Sequence, residues 1–253
     1  MTQIKLGIVG ISGKMGSKVV ELAQNDQNFV IIGGISKDEI DTKIARYENY
    51  SKLAFDSDVI IDFSRPEASI SAVQAANKNK KPIVIGTTGF SEKDLGDIAK
   101  AAENIAIFKA SNFSLGINII KEILQQFSRN FLENYDVEIH EIHHKNKVDA
   151  PSGTALSLAK ILAKFDNTNC QNNIVLNDFS SPIRQNNSIG ISFSRGGGIV
   201  GEHKISCFGD FETIEITHRA MDRKIFAHGS LMAAKWILSQ KSGIYDMCDM
   251  LKS

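Results

Sequence analysis

His143, His144 and Lys147 stand close together, just ahead of the run Asp149-Ala150-Pro151-Ser152-Gly153-Thr154. Imidazole gives or takes a proton near neutral pH, and lysine holds a fixed positive charge. The run that follows reads as a helix start: Pro151 suits the first turn, and Asp149 or Ser152 suits the cap. The backbone N–H groups of Ser152, Gly153 and Thr154 would then point at an approaching anion. Proton transfer beside a bound carboxylate is the chemistry this spacing implies. Two rivals fit less well. His140, His143 and His144 could ligate a metal, but no carboxylate or cysteine partner shows clear ligand spacing, so no metal is expected. Ser152 lacks the GxSxG surroundings of an elbow-type nucleophile.

A second cluster lies near the start of the chain. Gly10-Ile11-Ser12-Gly13-Lys14-Met15-Gly16 follows the apolar run Ile4–Val9 and precedes a helical pattern from Lys14 to Ala23. Glycines in such a turn let backbone approach a pyrophosphate, and the helix N-terminus favours its charge. The spacing is GxxGxxG rather than GxGxxG. After the next strand-like run, Phe29–Ile35, come Ser36-Lys37, with Asp38 and Glu39 slightly later. No acid stands at the strand tip, so Lys37 is expected to meet a 2′-phosphate, which favours NADPH over NADH.

Further strand-like runs at Val59–Phe63, Pro82–Ile85 and Ile105–Lys109 alternate with helical patterns near Glu67–Asn77 and from Ser91. Alternation of this kind predicts βαβ units in a parallel sheet, with strands buried on both faces. Ligands bind at the carboxyl ends of such strands. The segments leaving them, Phe63-Ser64-Arg65-Pro66, Gly86-Thr87-Thr88-Gly89-Phe90 and Ala110-Ser111-Asn112-Phe113, carry small and hydroxyl residues suited to a nicotinamide amide.

Beyond Asn112 the texture changes. A long helix is expected from Leu115 to Leu132, with Ile119, Ile120, Ile123, Leu124 and Phe127 at helical spacing. A strand over Val137–His143, a helix over Ala155–Phe165 and a polar loop over 166–187 follow. Strands are then expected at Ile189–Ser194, His203–Phe208 and Thr213–His218, and a last helix at His228–Ser239. The fold class is therefore α/β: an N-terminal Rossmann-type doubly wound parallel sheet, then an α+β domain with a mixed sheet, the boundary lying near residue 113. Lys+Arg and Asp+Glu both number 29, which argues against broad binding to nucleic acid or an anionic membrane. Cys170, Cys207 and Cys248 form no CxxC pair, and no apolar stretch reaches spanning length, so a cytoplasmic protein is expected.

His143, His144, Lys147 and Asp149–Ala155 resemble the signature of the dihydrodipicolinate reductase family. Gly10–Gly16, Asp62–Pro66, Gly86–Phe90, Ala110–Ser114, Val200-Gly201-Glu202-His203 and Thr217-His218-Arg219-Ala220 resemble its other landmarks, so the likeness covers nearly the whole chain. The resemblance implies NAD(P)H-dependent reduction of a small cyclic dicarboxylate, 4-hydroxy-tetrahydrodipicolinate, in lysine and diaminopimelate biosynthesis. It implies His143 as proton donor and acceptor, Lys147 as catalytic lysine, His144 and the Gly153-Thr154 backbone as substrate contacts, Thr88 where cofactor and substrate meet, and Arg223 as a cofactor contact. It further implies a homotetramer, and domains of residues 1–113 completed by 225–253, and 114–224. Ser36-Lys37 departs from the acidic-basic pair the family often carries, which supports NADPH, with NADH possible. The alternatives are another two-domain NAD(P) dehydrogenase, such as an aspartate dehydrogenase, and an inactive NADPH sensor.

Overall fold

The structure is a computed structural model and describes residues 2–38, 44–127, 131–164, 174–176, 183–184 and 186–252. Glu39, Phe165, Cys170, residues 128–130 of the expected long helix and most of the 166–187 loop lie outside the described residues. The chain divides into two compact units: Met1–Leu115 with Arg223–Ser253, and Gly116–Asp222.

The first unit begins β1 (Ile4–Val9), α1 (Lys14–Ala23), β2 (Phe29–Ile35), α2 (Tyr50–Asp56), β3 (Val59–Asp62) and α3 (Pro66–Lys78). It continues through β4 (Ile83–Ile85), α4 (Glu92–Ala102) and β5 (Ala106–Lys109), and the chain then enters α5 (Leu115–Gln125). The second unit holds α6 (Phe131–Asn134), β6 (Asp136–His143), α7 (Gly153–Ala163), β7 (Ile174–Leu176), β8 (Ile189–Arg195), β9 (Gly201–Phe208) and β10 (Thr213–Ala220). The chain then returns to the first unit with α8 (Lys224–Ile237), β11 (Gly243–Tyr245) and α9 (Met247–Leu251).

The first sheet has the order β11-β5-β4-β3-β1-β2, with every pairing parallel. Its apolar runs serve two cores at once. Leu6, Ile8, Ile61 and Phe108 pack with α1 and α8. Ile60, Ile83, Ile85 and Ile107 pack with α2, α3 and α4. Burial on both faces explains why these strands show no polar alternation. The chain reverses direction across the sheet between β1 and β3, so the loops after Val9 and Asp62 flank the switch point where ligands bind in doubly wound sheets.

The second sheet has the order β10-β9-β6-β8-β7 and is mixed: β9 runs antiparallel to both β10 and β6, whereas β8 is parallel to β6 and β7. Val137 and Ile139 of β6 pack with Leu158, Ala159 and Leu162 of α7. Since α7 is the crossover that follows β6, its N-terminus comes at the carboxyl end of that strand.

The expected long helix is corrected at its end. Gln126 and Phe127 bond the carbonyls of Ile123 and Leu124, a tighter spacing that stops α5. Ile120 and Leu124 are buried, but Ile119 and Ile123 are exposed. The helix α2, the short edge strands β7 and β11, and α9 were not expected from the sequence. Each is short and presents little periodicity.

Candidate active site

On β6 the side chains alternate, and Val137, Ile139, Glu141 and His143 all take the buried face. The first two are ordinary core residues. The last two place a carboxylate and an imidazole where apolar residues would otherwise continue. Glu141 is fully buried and His143 is 8% exposed, so the pair must be satisfied from within. Glu141 Oε2 ion-pairs with His143 Nδ1. Glu141 Oε1 accepts from Arg195 Nη2 and from the Ser152 backbone N–H, each at 2.9 Å. Burial alone would raise the Glu141 carboxyl, but His143, Arg195 and Ser152 together hold it down at about 2. Breaking such a buried pair by removing one partner costs roughly 3–5 kcal/mol.

Ser152 is the cap of α7: its Oγ accepts from the Ala155 N–H at 3.2 Å and lies 3.2 Å from His203 Nε2. His203 belongs to β9, and its ring meets His143 edge-on at 5.2 Å between centroids. Burial, reinforced by the neighbouring His143, pushes His203 down to about 4, so it stays neutral at physiological pH. Two expectations are corrected here. Pro151 precedes the cap rather than opening the helix. The Ser152 N–H does not face a ligand, because it is spent on Glu141, and Ser152 itself is 2% exposed. Gly153 and Thr154 open the helix beyond it.

Lys147 lies on the loop between β6 and α7, with its Nζ 2.9 and 3.0 Å from the two oxygens of Asp149. That lysine holds the Asp149 carboxyl below its usual range. An incoming carboxylate would therefore compete with Asp149 for a cation that is already ordered. The half-buried His144 directly follows the strand, and its carbonyl accepts from the Lys147 N–H at 3.1 Å.

The three histidines once weighed as ligands are not assembled. Strand alternation turns His140 to the other face, where its Nδ1 lies 2.8 Å from Ser192 Oγ. A different set, Glu141, His143 and His203, brings ligand-type atoms within 4.8 Å of one another. Both Glu141 oxygens are already engaged by Arg195, Ser152 and His143, so the set reads as a buried polar cluster whose carboxylate is not spare for an ion.

In the first unit, a cavity of about 730 Å³ is lined by Gly10, Ser12, Gly13, Lys37, Phe63 and Arg65 of the expected cofactor residues, and also by Arg46. The turn fits a nucleotide. Gly10 has φ +78°, and a Cβ there would stand 2.3 Å from the Phe63 carbonyl oxygen; one on Gly16 would stand 2.2 Å from that of Gly10. These contacts fix a close backbone cradle at the start of α1.

The remaining expected residues divide. Lys14 and Ser111 are exposed, and Met15, Ala110 and Asn112 half-buried. Ile11 and Phe113, each 2% exposed, turn their side chains into the core, which leaves only backbone to the loops. Phe113 meets Phe63 edge-on at 5.6 Å, and a Cβ on Gly86 would strike the Phe63 ring at 2.0 Å, so Phe63 knits the three loops together. Thr87 is also internal. Its Oγ1 donates to Asp62 Oδ2 at 2.8 Å and accepts from the Ser64 N–H at 2.9 Å. Thr88 remains exposed beside Gly89. Arg223 immediately precedes α8 and is not among the residues lining the cavity.

The sequence assigns no role to Glu141, Arg195 or Arg46, and Asp62 enters there only as part of a cofactor-loop landmark. For Glu141 a signal was present: it stands two residues before His143 in a strand, hence on the same face.

A glycine turn at the switch point of a doubly wound parallel sheet, in a chain that adds a second unit with a mixed sheet, is the architecture of two-domain nicotinamide-dependent oxidoreductases. The comparisons narrow the class. The model described as dihydrodipicolinate reductase, N-terminus, matches residues 4–113, and that described as its C-terminus matches 116–251. The 4-hydroxy-tetrahydrodipicolinate reductase of Clostridium novyi is 39% identical over 256 residues, covering 100% of this chain and 99% of the relative. The chain belongs to the dihydrodipicolinate reductase family. A dipicolinate-bound dihydrodipicolinate reductase from Paenisporosarcina sp. TG-14 shares the fold, with a TM-score of 0.81 at 23% identity, over 98% of this chain and 99% of that one. Aspartate dehydrogenase from Thermotoga maritima gives a TM-score of 0.51 at 13% identity, over 95% and 98% of the chains.

Proposed function

We propose that this reductase acts on 4-hydroxy-tetrahydrodipicolinate through His143 and Lys147, with NADPH as the preferred reductant. The observation that carries the reading is a buried, carboxylate-backed imidazole, His143, on the strand whose outgoing loop bears Lys147 and ends at the capped start of α7. The nicotinamide, when bound, supplies the hydride. His143 supplies the proton from Nε2, the ring nitrogen not engaged by Glu141. Lys147, the Gly153–Thr154 backbone and His144 hold the substrate carboxylates, aided by the field of the helix N-terminus. Thr88, exposed on the loop after β4, is the residue of this reading where cofactor and substrate meet.

The glycine turn holds the pyrophosphate, and Phe63, Gly86 and Ala110–Asn112 frame the nicotinamide. Lys37 and Arg46 hold the adenosine-side phosphate. The family's homotetramer and a cytoplasmic site of action belong to the same reading.

The test is a coupled assay in which pyruvate, aspartate semialdehyde and a dihydrodipicolinate synthase generate the substrate. Synthase-dependent NADPH consumption is expected, with a large loss of turnover in Lys147→Ala and His143→Ala but NADPH affinity nearly unchanged. Consumption by neither cofactor, or oxidation of aspartate instead, would overturn the reading.

A further inference from the structure

We propose that Glu141 is a positioning residue for His143, fixing the proton of the neutral imidazole on Nδ1 so that Nε2 faces the reacting substrate, and that Arg195 locks Glu141 in that orientation. The inference rests on the reading of His143 as the proton donor and extends it to the residues that make it one.

The geometry argues for orientation rather than mere burial. A carboxylate has two equivalent oxygens, and here they are differentiated. Oε1 is held by two donors, Arg195 Nη2 and the Ser152 N–H, each at 2.9 Å. Oε2 is thereby left to His143 Nδ1. An ionised carboxylate only accepts hydrogen bonds, so Nδ1 must carry a proton in both charge states of the ring. The neutral ring is then the Nδ1–H form, and the proton that comes and goes is the one on Nε2.

Arg195 is itself immobilised. The same Nη2 donates to the Asp149 carbonyl at 2.7 Å, Nη1 donates to the Ser194 carbonyl at 2.9 Å, and the guanidinium sits 5.0 Å from the centre of the Phe193 ring. Its residue pairs with His143 across β6 and β8, and the next N–H, of Gly196, bonds the His143 carbonyl. One guanidinium thus ties the carboxylate behind His143 to the segment carrying Lys147 and Asp149.

This arrangement makes Glu141→Gln diagnostic. The two donors on Oε1 hold the amide oxygen of the glutamine in that place, so its NH₂ faces His143 Nδ1. An NH₂ can only donate, so Nδ1 must become an acceptor and the proton must move to Nε2. A doubly protonated ring would then set Nδ1–H against N–H. The variant is nearly isosteric, yet it inverts the tautomer and disfavours the acid form. Wrong-tautomer substitutions of this kind cost on the order of 10²–10⁴ in rate.

The experiment is ¹⁵N-histidine NMR of the full chain, read alongside steady-state kinetics. In the natural protein His143 is expected as the Nδ1–H tautomer, and in Glu141→Gln as Nε2–H, with kcat down by roughly 100-fold or more and KM and NADPH affinity within about threefold. An Nε2–H tautomer in the natural protein overturns the proposal without any variant, so a poorly folding glutamine variant does not protect it. A Glu141→Gln enzyme that keeps its tautomer, or keeps kcat within a few-fold, also overturns it. Failure of the underlying reading looks different: His143→Ala would retain turnover, whatever the tautomer.

Discussion

A Cβ on Gly201 would stand 3.0 Å from His143 Nε2. Glycine at this point of β9 leaves uncovered the one ring nitrogen that Glu141 does not engage. Gly201→Ala needs no unusual backbone conformation, since its φ is outside the left-handed region. The methyl group would instead press on Nε2, and the ring would have to give by a few tenths of an ångström. We expect kcat to fall at least about tenfold while the unfolding free energy changes by no more than about 1 kcal/mol. Kinetics and urea unfolding of the variant check this; full activity would show that Nε2 is approached from elsewhere.

Thr87 is expected to act as a strut. Its hydroxyl bridges the buried Asp62 carboxylate and the Ser64 N–H, joining the loops after β3 and β4. Burial pushes the Asp62 carboxyl up, while Ser64, Ser69 and Thr87 pull it back. Thr87→Val keeps the shape but removes both bonds, leaving a buried acceptor short of a partner. The expected loss is about 1–3 kcal/mol of stability, with weaker NADPH binding. Thermal unfolding and a fluorescence titration measure the two separately, and unchanged values in both would remove Thr87 from the framework.

How much of this was legible beforehand follows from what each signal depends on. The parallel sheet showed in the sequence because Ile4–Val9, Phe29–Ile35 and their successors are apolar without alternation and are each followed by a turn and a helical pattern. The glycine turn and the His143–Thr154 stretch are contiguous, so their chemistry could be read locally. The partners of those residues could not. Arg195 reaches Glu141 across a parallel pairing, 54 residues away in sequence. Arg46 lines the same cavity as Lys37, and its backbone bridges to Gly34 outside any regular strand, a pairing with no local pattern to announce it. Thr87 and Phe113 looked like ligand contacts because they occupy ligand-binding loops; only packing shows that one side chain braces Asp62 and the other fills the core.

His203 should make stability depend on pH in a defined window. Its folded value, about 4, lies below the ordinary 6.5 because burial, with His143 nearby, disfavours the charged ring. A group depressed on folding contributes stability that is fully present above the unfolded value. That contribution is lost as pH falls from about 6.5 through about 4, because only the unfolded chain takes up the proton across that range. The contribution amounts to about 3 kcal/mol. His203→Gln keeps a partner for Ser152 and abolishes this titration, so its stability should fall less steeply between those pH values. Parallel slopes in urea unfolding series would show that His203 is not held neutral.

The nucleotide preference should depend on two cations together. Lys37 and Arg46 line the same cavity as the glycine turn, in company with Arg65 and the acids Asp38, Glu48 and Glu67. Neither Lys37 nor Arg46 has an acid within ion-pair distance among the described residues. A 2′-phosphate would gain charge-assisted hydrogen bonds from both, whereas the ribose hydroxyl of NADH would gain little. Because both cations are exposed, solvent moderates each contribution. Lys37→Ala and Arg46→Ala are each expected to weaken NADPH binding roughly 5- to 30-fold while leaving NADH within about twofold. The double variant should bring the two dissociation constants close together. Fluorescence titration with both nucleotides decides the matter without turnover. If Arg46→Ala weakens both nucleotides equally, Arg46 holds the shared pyrophosphate or adenosine instead; if it weakens neither, Lys37 alone reads the phosphate.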